Sequence, residues 1–179
     1  MKIVLLGNIG VGKSSLAEYI KNKYSIAEYL SIDNIRCLYG NGSVEKELLC
    51  KELFINSIKI DKSFQIIELS GRGILGENLF KKLNNINCPI LVVYLYASIE
   101  CILNRIKDRE WQIPIPYTGG NMVMDAIHFV QNAYNNGLLN NLLNHCRSII
   151  CISLNNEQEN IERNYMLITK IIDDIMLLK

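Results

Sequence analysis

"KIVLLGNIGVGKSSLAEYI", Lys2 to Ile20, decides how the rest of the chain is read. An apolar run, Ile3 to Leu6, meets three glycines, Gly7, Gly10 and Gly12, and then Lys13, Ser14 and Ser15. GNIGVGKS fits G-x-x-x-x-G-K-[ST], with a strand pattern before it and a helix pattern after it. Glycines let the backbone curl so that successive N–H groups point inward at phosphate oxygens. The following helix adds its positive end. Lys13 reaches outer phosphates as a point charge, and the Ser14 hydroxyl can ligate Mg²⁺. Gly7, Asn8, Ile9, Gly10, Val11, Gly12, Lys13, Ser14 and Ser15 are therefore expected to hold ATP, with magnesium on Ser14.

Outward from this loop, strand and helix patterns alternate. Lys2–Leu6 reads as a first strand and Lys13–Lys23 as the helix after it. Ala27–Ile32 is a short second strand ending at Asp33. Ser43–Ile60 has helical spacing, with Ser43 as cap. Phe64–Leu69 is a third strand, Leu75–Leu83 a helix and Ile90–Leu95 a fourth strand. Ser98 caps a helix running to about Arg109, and the prolines and glycine pair of "WQIPIPYTGG" end it. Helices fill Met122–His145, interrupted near Gly137. Ser148–Leu154 is the fifth strand and Glu157–Leu178 the last helix. Strands apolar on both faces belong in a parallel sheet covered by helices. The expected fold is a three-layer α/β domain spanning residues 1–179, with five parallel strands in the order 2-3-1-4-5 and a lid at about 105–120.

The 179 residues carry a net charge of +1, which argues against a long track for duplex nucleic acid. No apolar run is long enough for a membrane span. The cysteines at 37, 50, 88, 101, 146 and 151 show no CxxC pair, and no signal-peptide pattern precedes them. Reduced thiols in a cytoplasmic protein are the expectation. No guanine-reading N-K-x-D follows a later strand, which excludes the ordinary GTPase pattern. A transporter or helicase ATPase would carry a strand ending in an acidic pair, and none is found.

The remaining polar residues point to phosphoryl transfer onto a small acceptor. In open α/β sheets ligands gather beyond the carboxyl ends of the strands. Strand two ends in "SIDNIR", which stands Asp33 over the loop with Arg36 one turn later. A carboxylate there can take the proton of an acceptor hydroxyl, and an arginine can clamp the acceptor. Asp33 as a mere cap for a helix beginning at Asn34 is the competing reading. Strand three ends in "ELSGRG", where Glu68 could hold water on Mg²⁺ or contact the acceptor, and Arg72 sits between glycines. Arg105 and Arg109 share one helix face at the root of the irregular loop. Arginines there can close over a transferring phosphoryl group and exclude water, or else form a solvated face with Asp108 and Glu110. Only six arginines occur, and four lie at these three places. His128 and His145 lack ligand spacing.

With these residues in view, the chain resembles the nucleoside and nucleotide kinase group of P-loop proteins. "GNIGVGKSS" is similar to the phosphate loop of the deoxynucleoside kinases, including Asn8 and Ile9. "VVYLYASIECILNRIKDREWQIPIPY" resembles their fourth strand, following helix and lid. "ELS" at 68–70 partly echoes their Glu-Arg-Ser motif, with Leu69 at the arginine position. Together these cover about a third of the chain. That family ends strand two in a glutamate base, whereas Asp33-x-x-Arg36 is more similar to polynucleotide kinases. The resemblance implies Mg²⁺-ATP-dependent phosphorylation of a hydroxyl on a nucleoside, nucleotide or related small molecule. Lys13, Asp33, Arg105 and Arg109 are its catalytic candidates, and Asp33, Arg36, Glu68 and Arg72 its acceptor contacts. A homodimer joined through helices is a further expectation. Phosphorylation of 5′ polynucleotide ends and a regulatory module that binds ATP without transfer are the rival readings.

Overall fold

The computed structural model describes residues 1–107, 113–114 and 122–177. Five parallel strands form one sheet in the order β2-β3-β1-β4-β5. They are β1 (Lys2–Gly7), β2 (Glu28–Ser31), β3 (Gln65–Glu68), β4 (Ile90–Tyr96) and β5 (Ile150–Asn155). The helices between them are α1 (Lys13–Lys23), α2 (Ile32–Tyr39), α3 (Val44–Asn56), α4 (Ile74–Leu83), α5 (Ile99–Ile106), α6 (Met122–Asn135), α7 (Leu138–Leu143) and α8 (Ile161–Leu177). The sheet order expected from the strand–helix alternation is the one observed. The last helix differs from its expected span, because a 3-10 turn at Gln158–Asn160 comes before α8.

Strand β1 is the axis of the fold. All six of its residues are buried, and it pairs with β3 on one side and β4 on the other. Side chains alternate across a strand, so β1 feeds two cores. Ile3 and Leu5 join Leu91, Val93, Leu16, Ile20, Ile168 and Ile172 on the face under α1 and α8. Val4 and Leu6 join Val92, Ile67, Phe54, Leu79 and Phe80 under α3 and α4. Each buried Leu, Ile or Phe contributes roughly 1.5–3 kcal/mol of transfer free energy, so these layers fix strand order and register. The register sets Leu5 beside Glu68 and Ser31 beside Glu68. The ends of β1, β2 and β3 therefore meet at one edge of the sheet.

Short polar residues start the helices at that edge. The Ser98 hydroxyl accepts from the Cys101 amide at 3.2 Å, and the Ser43 hydroxyl accepts from the Lys46 amide at 3.2 Å. Helix α2 begins earlier than the sequence suggested. Ser31 is its cap and accepts from the Asp33 amide at 3.2 Å. Asp33 thus lies inside the first turn and caps nothing, which corrects the capping alternative and leaves its carboxylate to the edge of the sheet.

Gly76 in α4 lets that helix lie against the turn after β3. A Cβ there would stand 1.9 Å from the Gly71 carbonyl oxygen, a backbone atom that cannot step aside. Overpacking of this kind costs about 1–3 kcal/mol. Gly76→Ala is expected to lose at least that much in urea unfolding. Gly137→Ala meets nothing within 4 Å and bears only the cost of its positive φ, so it is expected to lose less.

Candidate active site

The loop after β1 curls with Gly10 and Gly12 at positive φ, Gly12 in the left-handed region at φ 97° as the N-cap of α1. No side chain caps α1. The start of this helix, where the first amides have no intrahelical partner, suits phosphate oxygens. Lys13 donates from Nζ to the Asn8 carbonyl at 2.8 Å and lies 4.0 Å from Glu68 Oε1. The Ser14 hydroxyl donates to Glu68 Oε1 at 2.9 Å, and Tyr29 donates its hydroxyl to Glu68 Oε2. A hydroxyl and a carboxylate oxygen side by side, with no soft donor, match the oxygen preference of Mg²⁺. The donor set fits the expected cation. Glu68 is buried, and its neighbourhood pushes the Tyr29 phenol up, through burial first and the carboxylate second.

The side chains of Asn8 and Val11 are engaged within the protein. The Asn8 side chain is buried and donates to the Ile127 carbonyl at 2.9 Å and to Gln131 Oε1 at 3.2 Å, both on α6. Its Oδ1 accepts from the Ile9 amide at 2.8 Å. Its side chain braces the loop from outside. Val11 is a core residue, and its carbonyl accepts from Asn156 Nδ2 at 2.8 Å. A Cβ at Gly12 would stand 2.6 Å from the same Asn156 amide.

A cleft of about 1030 Å³ opens beyond this loop. It is lined by Ile9, Gly10, Gly12, Lys13, Ser14 and Ser15 and also by Asp33, Arg36, Glu68, Arg72 and Arg105. Residues from α2, the turn after β3 and α5 thus meet the phosphate loop in one cavity. Arg36 is not open to an acceptor as expected. Its Nε donates to Glu47 Oε2 at 2.9 Å, Nη2 to Glu47 Oε1 at 2.6 Å and Nη1 to Asp33 Oδ1 at 2.8 Å. The Arg72 guanidinium lies 3.0 Å from the centre of the Phe129 ring, a cation–π contact on the cleft wall. Arg105 lines the cleft and is tied to backbone: its Nη2 donates to the Asn156 carbonyl at 2.7 Å and its Nη1 to the Val11 carbonyl at 3.5 Å. Arg109, Trp111 and most of the 105–120 lid lie outside the described residues.

Sequence reading missed Glu47, Asn156, Phe129 and Tyr165, all on the cleft wall. Glu47 carried no motif, being eleven residues from its partner Arg36. Tyr165 packs on Tyr19 at 4.6 Å between ring centres and faces the loop from α8. Asp125 also lines the cleft, whereas neither His128 nor His145 does. Tyr94 stacks on Tyr134 at 4.4 Å, as packing rather than a platform.

No family model matches the chain, and no curated protein matches its sequence. Solved structures do match in shape. Shikimate kinase from Bacteroides thetaiotaomicron aligns over 97% of this chain and 98% of its own at TM-score 0.62 and 13% identity. Deoxyadenosine kinase from M. mycoides aligns over 98% and 100% at TM-score 0.57 and 18% identity. A gluconokinase from Sinorhizobium meliloti aligns over 99% and 97% at TM-score 0.55 and 14% identity. The chain has a P-loop kinase fold. Proteins with this fold and different acceptors align equally far along it, so the fold does not single out the deoxynucleoside kinases.

The Arg36–Glu47 pair makes this end of the P-loop kinase fold sensitive to acid. Burial opposes ionisation of Glu47, but Arg36 and Lys51 outweigh it and hold the carboxyl below its ordinary range. The unfolded chain then binds a proton more readily than the folded one. Stability from this group is full above the ordinary glutamate value of about 4.3 and is lost as pH falls through the depressed folded value. Denaturant midpoints are expected to drop across that window. Glu47→Gln is expected to flatten this part of the profile, and an unchanged slope would show the pair does not contribute.

Proposed function

We propose that the protein transfers the terminal phosphoryl group of Mg²⁺-ATP to a hydroxyl of a nucleoside, nucleotide or similar small molecule. One observation carries the reading. Lys13, Ser14 and Glu68 at the phosphate loop share a single cleft with Asp33, a carboxylate on a separate element. A module that only binds nucleotide has no need of that second group. Structural likenesses include enzymes whose names state shikimate, gluconate and deoxyadenosine, which supports a hydroxyl acceptor.

The roles follow from chemistry. Bound Mg²⁺-ATP supplies the phosphoryl group and a cation that offsets its charge. The α1 amides and Lys13 hold the outer phosphates, and Lys13 must exchange the Asn8 carbonyl for a phosphate oxygen. Ser14 and Glu68 hold the cation, directly or through water. Asp33 accepts the acceptor hydroxyl proton as that oxygen bonds to phosphorus and the bond to the leaving ADP oxygen breaks. Asp33 is 41% exposed at its side chain, so it can reach an acceptor without losing all contact with Arg36. Arg72 and Arg109 are proposed to close the site from the turn after β3 and from the lid. Arg105 holds the loop in the shape that binding needs.

Transfer from labelled ATP to nucleosides, polyols and 5′-hydroxyl oligonucleotides tests this reading. Lys13→Ala is expected to raise the barrier by about 2–4 kcal/mol, in line with other electrostatic stabilisers. Asp33→Asn should lower kcat on the order of 10²–10⁴-fold and spare ATP binding. Full turnover in Lys13→Ala, or tight ATP binding with transfer to no acceptor, would defeat the proposal. A clear preference for the oligonucleotide would favour the polynucleotide reading instead.

A further inference from the structure

The guanidinium next to Asp33 is already occupied, and this bears on what the proposed transferase can accept. Among the described residues, four carboxylates line the cleft, Asp33, Glu47, Glu68 and Asp125, with five cations, Lys13, Arg36, Lys51, Arg72 and Arg105. A guanidinium fork is the group best shaped to take a carboxylate or phosphate. Here the Arg36 fork is filled from within the protein. Two of its nitrogens hold both oxygens of Glu47, at 2.9 and 2.6 Å, and the third holds Asp33 at 2.8 Å.

The pair is built to stay closed. The Glu47 side chain is 7% exposed and that of Arg36 14%, so water screens them weakly. An anion that captured Arg36 would leave the Glu47 charge buried, with only Lys51 at 3.4 Å to offset it. Lys51 is itself engaged by that carboxylate. Arg72 lies against Phe129. Arg36 and Lys51 thus both have a carboxylate partner, while an uncharged ligand would meet acceptors at Asp33 and Asp125 and an apolar wall at Leu75 and Val130.

We propose that Glu47 is a specificity-determining residue: by occupying Arg36 it restricts the acceptor to uncharged hydroxyl compounds and turns away carboxylates and phosphate esters. This rests on the transferase reading above, and it narrows that reading by excluding nucleotides as acceptors.

Binding measured independently of transfer separates the two. With ADP and Mg²⁺ filling the phosphate loop, calorimetry compares matched pairs: a nucleoside with its 3′-monophosphate, and an alditol with the aldonate of the same chain length. The uncharged member is expected to bind at least tenfold more tightly. Glu47→Gln, with folding checked by thermal unfolding, is expected to erase or reverse that ratio by freeing Arg36. The wild-type comparison stands alone if the variant does not fold. Equal or tighter binding of the charged member by the wild type would overturn the proposal. So would an unchanged ratio in folded Glu47→Gln. Absence of transfer to every acceptor, with the binding preference intact, would refute the transferase reading and uphold this one.

Discussion

A phosphate loop must keep its amide N–H groups unspent, and the surrounding structure is arranged around that constraint. A loop with unpaired donors has no ladder to hold its shape, so something else must hold it. Here the restraint comes from its carbonyls and side chains. Asn8 is tied to α6, the Val11 carbonyl receives Asn156 and Arg105, and the Asn8 carbonyl receives Lys13. Asn156 is held in turn by Asn164 at 3.0 Å. The bracing groups come from α5, α6, α8 and the end of β5. The Ile9 amide also takes part, donating to Asn8 Oδ1 at 2.8 Å.

The same economy of partners governs the carboxylates. Glu68 is buried at the end of β3, where a lone charge would be costly. Ser14, Tyr29 and the nearby Lys13 satisfy it. Two of these, Ser14 and Lys13, are the groups that a nucleotide and its cation would recruit. These interactions are ones that a nucleotide and its cation could take over. Glu47 and Arg36 form the opposite case. They satisfy each other so fully that a ligand has little to offer either.

Sheet order and the phosphate loop were legible in the sequence because both rest on local pattern. Continuous apolar strands signal burial on two faces, and the glycine spacing signals a turn with inward amides. The caps at Ser43 and Ser98 were legible for the same reason. Ser31 was not read as the cap of α2, because Asp33 two residues later is as good a capping residue type. Only the backbone shows that the helix starts before it. The side-chain contacts of Asn8, Arg36 and Arg105 were not legible for another reason. Each is decided by a partner far along the chain, at 127, 47 and 156, and no short-range pattern points there. Arg36 inside a motif-like Asp-x-x-Arg looked available because the sequence cannot display the glutamate that fills it.

Arginine content alone is therefore a poor guide to where a site carries usable positive charge. Of the arginines that line the cleft, Arg36 is paired with two carboxylates and Arg105 is turned to backbone carbonyls. Arg72 lies over an aromatic face, which leaves its charge intact while fixing its plane. These three environments divide one residue type three ways: paired with carboxylates, tied to loop carbonyls and laid against an aromatic ring. The division follows from burial and partner geometry, which composition alone does not display.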